Sequence, residues 1–364
     1  MHYSVIATTV TTPLTAAQNP YDLWVRGVDI LTNVPMETIR LEESGSAEPA
    51  VLEFDVVDPT NTTVVSNGTR VVFRDNVNDR TLFTGEVVTR NPTVLALGRA
   101  QHVTCADVSS YLDRALVVSD YRPAGESDQA RIAYLLANYA TTLPAPIPTY
   151  VLQTNASMVA QRFTGQTLRT AIEQVAGSAS SSTAYYVDTL GRVHYFGGNE
   201  STTAPYQLRV GSPGGGEMAP EDLSITWDTS GLINAYYVRG KTAAGSGWFL
   251  SPASISAYGR RESYIDAPDA DTFAKAQALG LAALADTQWA VRRGSFSATS
   301  PYDGWQAQQT LTIASAVHLG ITTPTTFQIV HVTTTFLDGT GADKHYEIEF
   351  GARRRRFSTL AARI

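Results

Sequence analysis

Between Tyr21 and Cys105 the chain carries six short β-favouring runs and no stretch with the spacing of a helix, which limits this part to a barrel or a sandwich. The runs cover residues 21–27, 36–41, 51–57, 69–74, 81–89 and 99–105. Turn chemistry such as Asp58-Pro59 and Asn67-Gly68 separates them. Alternation is plain in Leu52, Phe54 and Val56, which predicts one buried face. In Leu82, Thr84, Glu86 and Val88 either face can serve as the inner one.

After Asp107 the pattern changes. Residues 127–139 place Ile132, Leu135 and Leu136 at helical spacing, and residues 164–176 do the same with Leu168, Ile172 and Val175. Thr164 is the expected N-cap of the second helix and Gly177 its expected stop. Residues 183–196 form a hairpin pattern with 188–191 in the turn, giving a small α+β unit over 108–205 after a first β unit over 1–107.

The Gly-rich segment 211–216 is a loop, followed by strand-like 223–227 and 233–240 and a Ser/Gly/Ala loop over 242–257. A helix is expected near 270–285, with Phe273, Ala276, Gly280 and Leu284 on one stripe. Strands resume at 307–313, 326–335 and 345–351, the last two pairing across Asp338-Gly339. Residues 206–240 are too short for a barrel and 305–364 are marginal. Together they make a second one, with 241–304 inserted as a separate α+β unit. The two β regions show no evident sequence identity, so a repeat between them would be structural only.

A chain of 364 residues exceeds what one hydrophobic core usually supports, consistent with two to four domains. The net charge of -7 and pI near 5.4 argue against general nucleic-acid binding by phosphate neutralisation, yet suit a wall past which DNA slides without sticking. Cys105 is the single cysteine, which excludes an intrachain disulfide and a cysteine-based metal site. No tract approaches the roughly 18 to 20 apolar residues of a membrane span. The start lacks the basic and apolar regions of a signal peptide, so synthesis and assembly in the cytoplasm are expected.

Catalytic constellations are weak. Asp55 and Asp58 sit at a strand end, where carboxylates cap turns, and Glu42 with Glu43 is a solvated pair. The six histidines form no HExxH, and there is no GxSxG, P-loop or GxGxxG. No catalytic, cofactor or metal residues are assigned, and the chain is expected not to be an enzyme. The sharpest charge feature is the run Arg353, Arg354, Arg355 and Arg356, an electrostatic contact for phosphate or an acidic neighbour, or else a solvated face.

Several segments in order resemble the hub family of phage tail baseplates, which includes the tail hub of long non-contractile phages and the base of the type VI secretion spike. Residues 68–73 followed by Leu82, Phe83, Thr84, Gly85, Glu86 and Val87 are similar to that family's barrel hairpin. Residues 168–176 with 184–196 (AYYVDTLGRVHYF) resemble its recurring helix and hairpin. Residues 234–240 resemble a return strand into the second barrel, 258–262 the segment before the inserted helix, and 329–351 the closing hairpin.

The resemblance implies a mainly β fold with α+β subdomains: two tail-tube-like β-barrels, the second split by an inserted domain. It implies a homotrimer whose six barrels dock on a hexameric tail tube or distal ring at the virion tail tip. The implied partners are the tape-measure protein, separate tip, fibre or receptor-binding proteins, and DNA passing through the channel. The chain ends just after the second barrel, so the resemblance places any lysozyme or fibre on another polypeptide. A cell-wall hydrolase, a glycan-binding tip protein and another distal ring protein remain as alternatives.

Overall fold

Strand pairing joins both β regions into one continuous sheet of fourteen strands in the computed structural model. The structure describes residues 20–351 apart from 46–47, 59, 61–62, 64, 96–97, 141–148, 153–154, 180–182, 198–201 and 269. The first half comprises β1 (Tyr21–Val25), β2 (Val28–Asp29), β3 (Arg40–Ser44), β4 (Val51–Asp58), β5 (Arg70–Asp75), β6 (Arg80–Leu95) and β7 (Gly98–Asp107). Leu52, Phe54 and Val56 point into its core with Leu23, Phe73 and Val103. The alternation of β4 therefore decides its inner face.

An α+β unit follows: β8 (Leu116–Arg122), α1 (Asp128–Tyr139), β9 (Thr149–Leu152), β10 (Gln161–Thr167), α2 (Leu168–Ala179), β11 (Thr183–Val187) and β12 (Val193–Gly197). Helix α1 starts where the Ser127 hydroxyl accepts the Ala130 N–H at 3.1 Å. The second helix differs from the sequence expectation. Residues 161–167 extend because β10 pairs with β8, so the Thr167 hydroxyl, not Thr164, accepts the Thr170 N–H, and the helix runs through Gly177. Cross-strand pairing outweighed helix propensity there.

The second half comprises β13 (Gln207–Arg209), β14 (Glu217–Met218) and β15 (Glu221–Asp228), then, after an insertion, β19 (Val291–Thr299), β20 (Thr310–Ser315), β21 (Thr325–Phe336) and β22 (Lys344–Gly351). The insertion holds β16 (Ala235–Gly240), β17 (Gly247–Leu250), α3 (Pro252–Tyr258), β18 (Glu262–Ala267) and α4 (Phe273–Thr287). Two expectations are corrected here. Residues 234–240 do not return to the barrel but form the centre of a separate three-stranded sheet, between β17 and β18. Residues 291–299 do not belong to the insertion but pair with β15 and β22. On α4, Ala276, Gly280 and Leu284 are buried as expected, whereas Phe273 is exposed at the first turn.

The two halves repeat one topology. The first has the spatial order β3-β4-β7-β6-β5-β1, the second β15-β19-β22-β21-β20-β13, with matching chain order. The long strands β6 and β21 slip register at matching points, between Val87 and Thr89 and between Ile329 and His331. Only the last pair differs, antiparallel in the first half and parallel in the second. In this register Phe54 matches Phe296, Val103 matches Ile348, and Leu52 and Cys105 match Gly294 and Phe350. In the last exchange a Cβ on Gly294 would lie 2.1 Å from the Ser224 carbonyl oxygen and 2.5 Å from the Phe350 ring, so both the neighbouring β15 backbone and the larger aromatic need the missing side chain.

A seam welds the halves. One edge of β21 pairs with β20 near its start and with β3 over residues 331–335. At the crossover the Gly45 N–H donates to the Val330 carbonyl at 2.7 Å, and the buried Gln308 side chain donates to the Gly45 carbonyl while accepting from Gln328 at 2.9 Å. Gln308 adopts a left-handed φ of 75°, a conformation unusual for a side-chain-bearing residue and held here by these bonds. A Cβ at Gly45 would meet the Ile329 and Val330 carbonyls at 3.1 Å. Beyond the seam, Phe336 of β21 enters the core of the first half, edge-on to Tyr21 at 5.3 Å and Phe73 at 5.8 Å.

Phe336→Ala is expected to destabilise the first half by about 3–5 kcal/mol, because it empties a buried aromatic site packed against Tyr21 and Phe73. Urea unfolding of wild type and variant measures this. A loss within experimental error of zero would show that the second half does not complete the first core.

Candidate functional site

The alternation that builds the cores leaves the opposite face of the sheet polar in both halves. In β22, Tyr346, Ile348 and Phe350 are buried while His345, Glu347 and Glu349 point the other way. Cross-strand registers extend these positions into continuous rows. One row runs Ser297, Glu347, Thr333, Glu42; another runs Thr299, His345, Thr335, Arg40, Glu53, Thr104. The seam carries both rows from one half to the other without a break.

This face is acidic. Among the described residues, strands β3, β4, β7, β15, β19, β21 and β22 place on it the carboxylates Glu42, Glu53, Asp55, Asp228, Glu347 and Glu349 against Arg40 and Arg293, with His102, His331 and His345 between them, and strands β1, β5 and β6 add Asp22 and Glu86 against Arg70 and Arg74. Arg40 bonds Glu42 at 2.5 Å and reaches Glu53 at 3.6 Å. His102 Nδ1 lies 2.7 Å from Asp55, and Arg293 lies 3.3 Å from Asp228. A surface of hydroxyls and carboxylates repels phosphate and offers a passing polyanion little to hold.

The carboxylates singled out in the sequence divide between roles. Asp58 is a turn cap, accepting the Thr60 and Thr63 N–H groups at 3.1 and 2.6 Å. Those bonds hold its carboxyl below the usual range, against the opposing effect of burial. Glu43 turns away from the polar face, accepts the Ala307 N–H at 3.3 Å, and has its pKa raised by burial. Arg353, Arg354, Arg355 and Arg356 lie outside the described residues. Among the described residues no three His, Cys, Asp or Glu side chains converge on a metal position. Sequence reasoning missed the polar face as a unit, although the alternation of residues 345–350 was its visible signal.

At the β6–β7 end the α+β unit covers this face. Tyr111 donates to Glu86 at 2.9 Å, Arg114 pairs with Glu86, and Arg169 donates to the Ser109 carbonyl at 2.8 Å and pairs with Asp113 at 2.6 Å. At the joint, Asp107 accepts from both the N–H and the hydroxyl of Ser109, at 3.0 and 2.6 Å. Burial nevertheless pushes its carboxyl up to about 6.

The architecture is a duplicated half-barrel with an α+β unit after the first half and an insertion in the second, and the chain shares its overall fold with solved phage and prophage tail proteins. The chain is similar to a tail protein of Neisseria meningitidis MC58, with TM-score 0.67, 14% identity, and coverage of 91% of this chain and 96% of that one. It is similar to the 43 kDa tail protein of prophage MuSo2 from Shewanella oneidensis, with TM-score 0.66, 13% identity, and coverage of 91% and 97%. It is also similar to prophage tail protein gp18 of Listeria monocytogenes EGD-e, with TM-score 0.61, 13% identity, and coverage of 94% and 98%. No family model and no curated protein matches the sequence. The mainly β fold expected from the sequence is thus the fold observed.

The raised Asp107 value fixes a sign. The folded state holds this proton more tightly than the unfolded chain, so the contribution is full below the ordinary value of 3.8 and is lost as pH rises toward about 6. Asp107→Asn, which keeps an accepting oxygen for Ser109, is expected to raise the melting temperature by roughly 2–4 °C near pH 7 and to leave it unchanged near pH 4. Equal shifts at both pH values would contradict this account of the joint.

Proposed function

We propose that the chain is a structural tail hub protein whose copies form a trimeric ring joining the tail tube to the tail tip. The observation that carries this reading is the duplication within one sheet. Two equivalent half-barrels per chain let three copies present six equivalent modules, which matches a hexameric tube to a three-fold tip. The acidic polar face lines the channel, where it lets DNA pass without retention. The tail tube or a distal ring, the tape-measure protein and separate tip or fibre proteins are its partners. Its role is mechanical rather than enzymatic, and its place is the virion tail tip.

A second reading, glycan binding at the tip, has one observation in its favour. The inserted sheet sets Trp248, Tyr237 and Tyr264 side by side on the face away from α4, with Arg260 over the Trp248 ring at 4.7 Å. Titration with cell-wall glycan fragments that leaves tryptophan fluorescence unchanged removes it.

The channel assignment predicts that tails carrying Glu347→Lys and Glu349→Lys assemble normally but release DNA more slowly, because phosphate now meets positive charge. Release kinetics equal to wild type at low salt would place this face elsewhere.

A further inference from the structure

The repeat makes the seam itself a template. Within the chain, β3 of the first half pairs with residues 331–335 of β21 in the second. By the register of the repeat, β15 corresponds to β3 and β6 corresponds to β21. Among the described residues both counterparts have an open edge: β15 pairs with β19 alone, and β5 with the two residues before it covers β6 as far as Val87. We propose that β15 of one copy pairs antiparallel with residues 89–93 of β6 in the next copy, repeating between chains the ladder that joins the halves within one. This rests on the ring reading above and names its contact.

The register follows residue by residue. In the chain Glu42 faces Thr333 and Arg40 faces Thr335; between copies Thr226 faces Asn91 and Ser224 faces Thr93. These pairs lie on the polar face, so its rows continue across the contact. On the other side Trp227, 43% exposed in the single chain, meets Arg90, and Ile225 meets Pro92. The counterpart of Phe336 is Val94. Phe336 is 2% exposed because the other half covers it, while Val94 is 90% exposed in one copy alone. A neighbouring copy on this edge supplies the missing cover. Pro92 stands where Thr334 has an N–H, so the ladder between copies is one hydrogen bond poorer than the seam. The contact between chains is accordingly the weaker of the two, as suits a ring built from preformed subunits.

Cysteine cross-linking tests the register. Gly45 bonded to Val330 makes that pair hydrogen-bonded, so the position of Glu42 and Thr333, three residues along, is a non-hydrogen-bonded one. Such pairs have Cα atoms about 4.5 Å apart, within disulfide range. The Asn91→Cys, Thr226→Cys double variant of the full chain is expected to form a covalent trimer under mild oxidation. The Arg90→Cys, Thr226→Cys variant, shifted by one residue onto the opposite face, serves as the control. Cys105 is buried and its thiol pushed up by burial, so it stays silent. If rings appear in electron micrographs but the double variant cross-links no more than the control, this pairing is wrong and the ring reading stands. If the unsubstituted chain forms no multimer with or without tube protein, both fall.

Discussion

The ladder between β3 and β21 is the interaction on which the rest of the structure depends. It converts two half-barrels into one sheet, and it does so at a point where a buried glutamine in a left-handed conformation replaces an ordinary strand continuation. Gln308 satisfies the Gly45 carbonyl that the crossover leaves free, and Gly45 has no side chain because two carbonyls crowd the position. Without that arrangement β21 could pair with β20 or with β3 along this edge, but not with both in succession. Phe336 then gives the seam an apolar anchor in the opposite core.

From the seam the polar face follows without further devices. Period-two alternation places apolar residues toward two cores and hydroxyls and carboxylates on the other face, and the seam keeps this polarity in phase across both halves. A slip of one residue at β3 would turn Leu41 and Glu43 onto the polar face and end the continuity of the rows. The insertion enters between β15 and β19, the place held in the first half by the short β3–β4 connection, so it adds a fourth hydrophobic core without interrupting the sheet. The α+β unit instead leaves after β7 and folds back onto the polar face through Tyr111, Arg114 and Glu86.

Much of the architecture was legible in the sequence, because period-two runs and helical stripes report local burial directly. The strands of the first half, the hairpin after Asp188 and the pairing of β21 with β22 all rest on such local signals. The repeat is implied by the family resemblance but is not legible in the residues themselves, since equivalent positions keep a similar combined volume rather than residue type: Leu52 with Cys105 in one half becomes Gly294 with Phe350 in the other. Nor was the fate of residues 234–240, whose alternating aromatics suit a strand in either sheet; the choice was made by pairing with β17 and β18, both within or beside a stretch that looked like loop. Residues 164–167 read as the start of a helix for the same reason, as β8, the partner of β10, has no alternating pattern of its own. The polar face escaped notice because its members come from strands spread over both halves of the chain.

The most direct test of the central claim is an electron-microscopic reconstruction of the assembled protein, alone or on its tube. Six half-barrels around one axis, alternating between within-chain and between-chain contacts, with Glu347 and Glu349 turned to the central hole, is the result this account predicts. A ring with the buried faces of β4 and β22 toward the axis, or an assembly in which the two halves of a chain occupy unrelated positions, would contradict it.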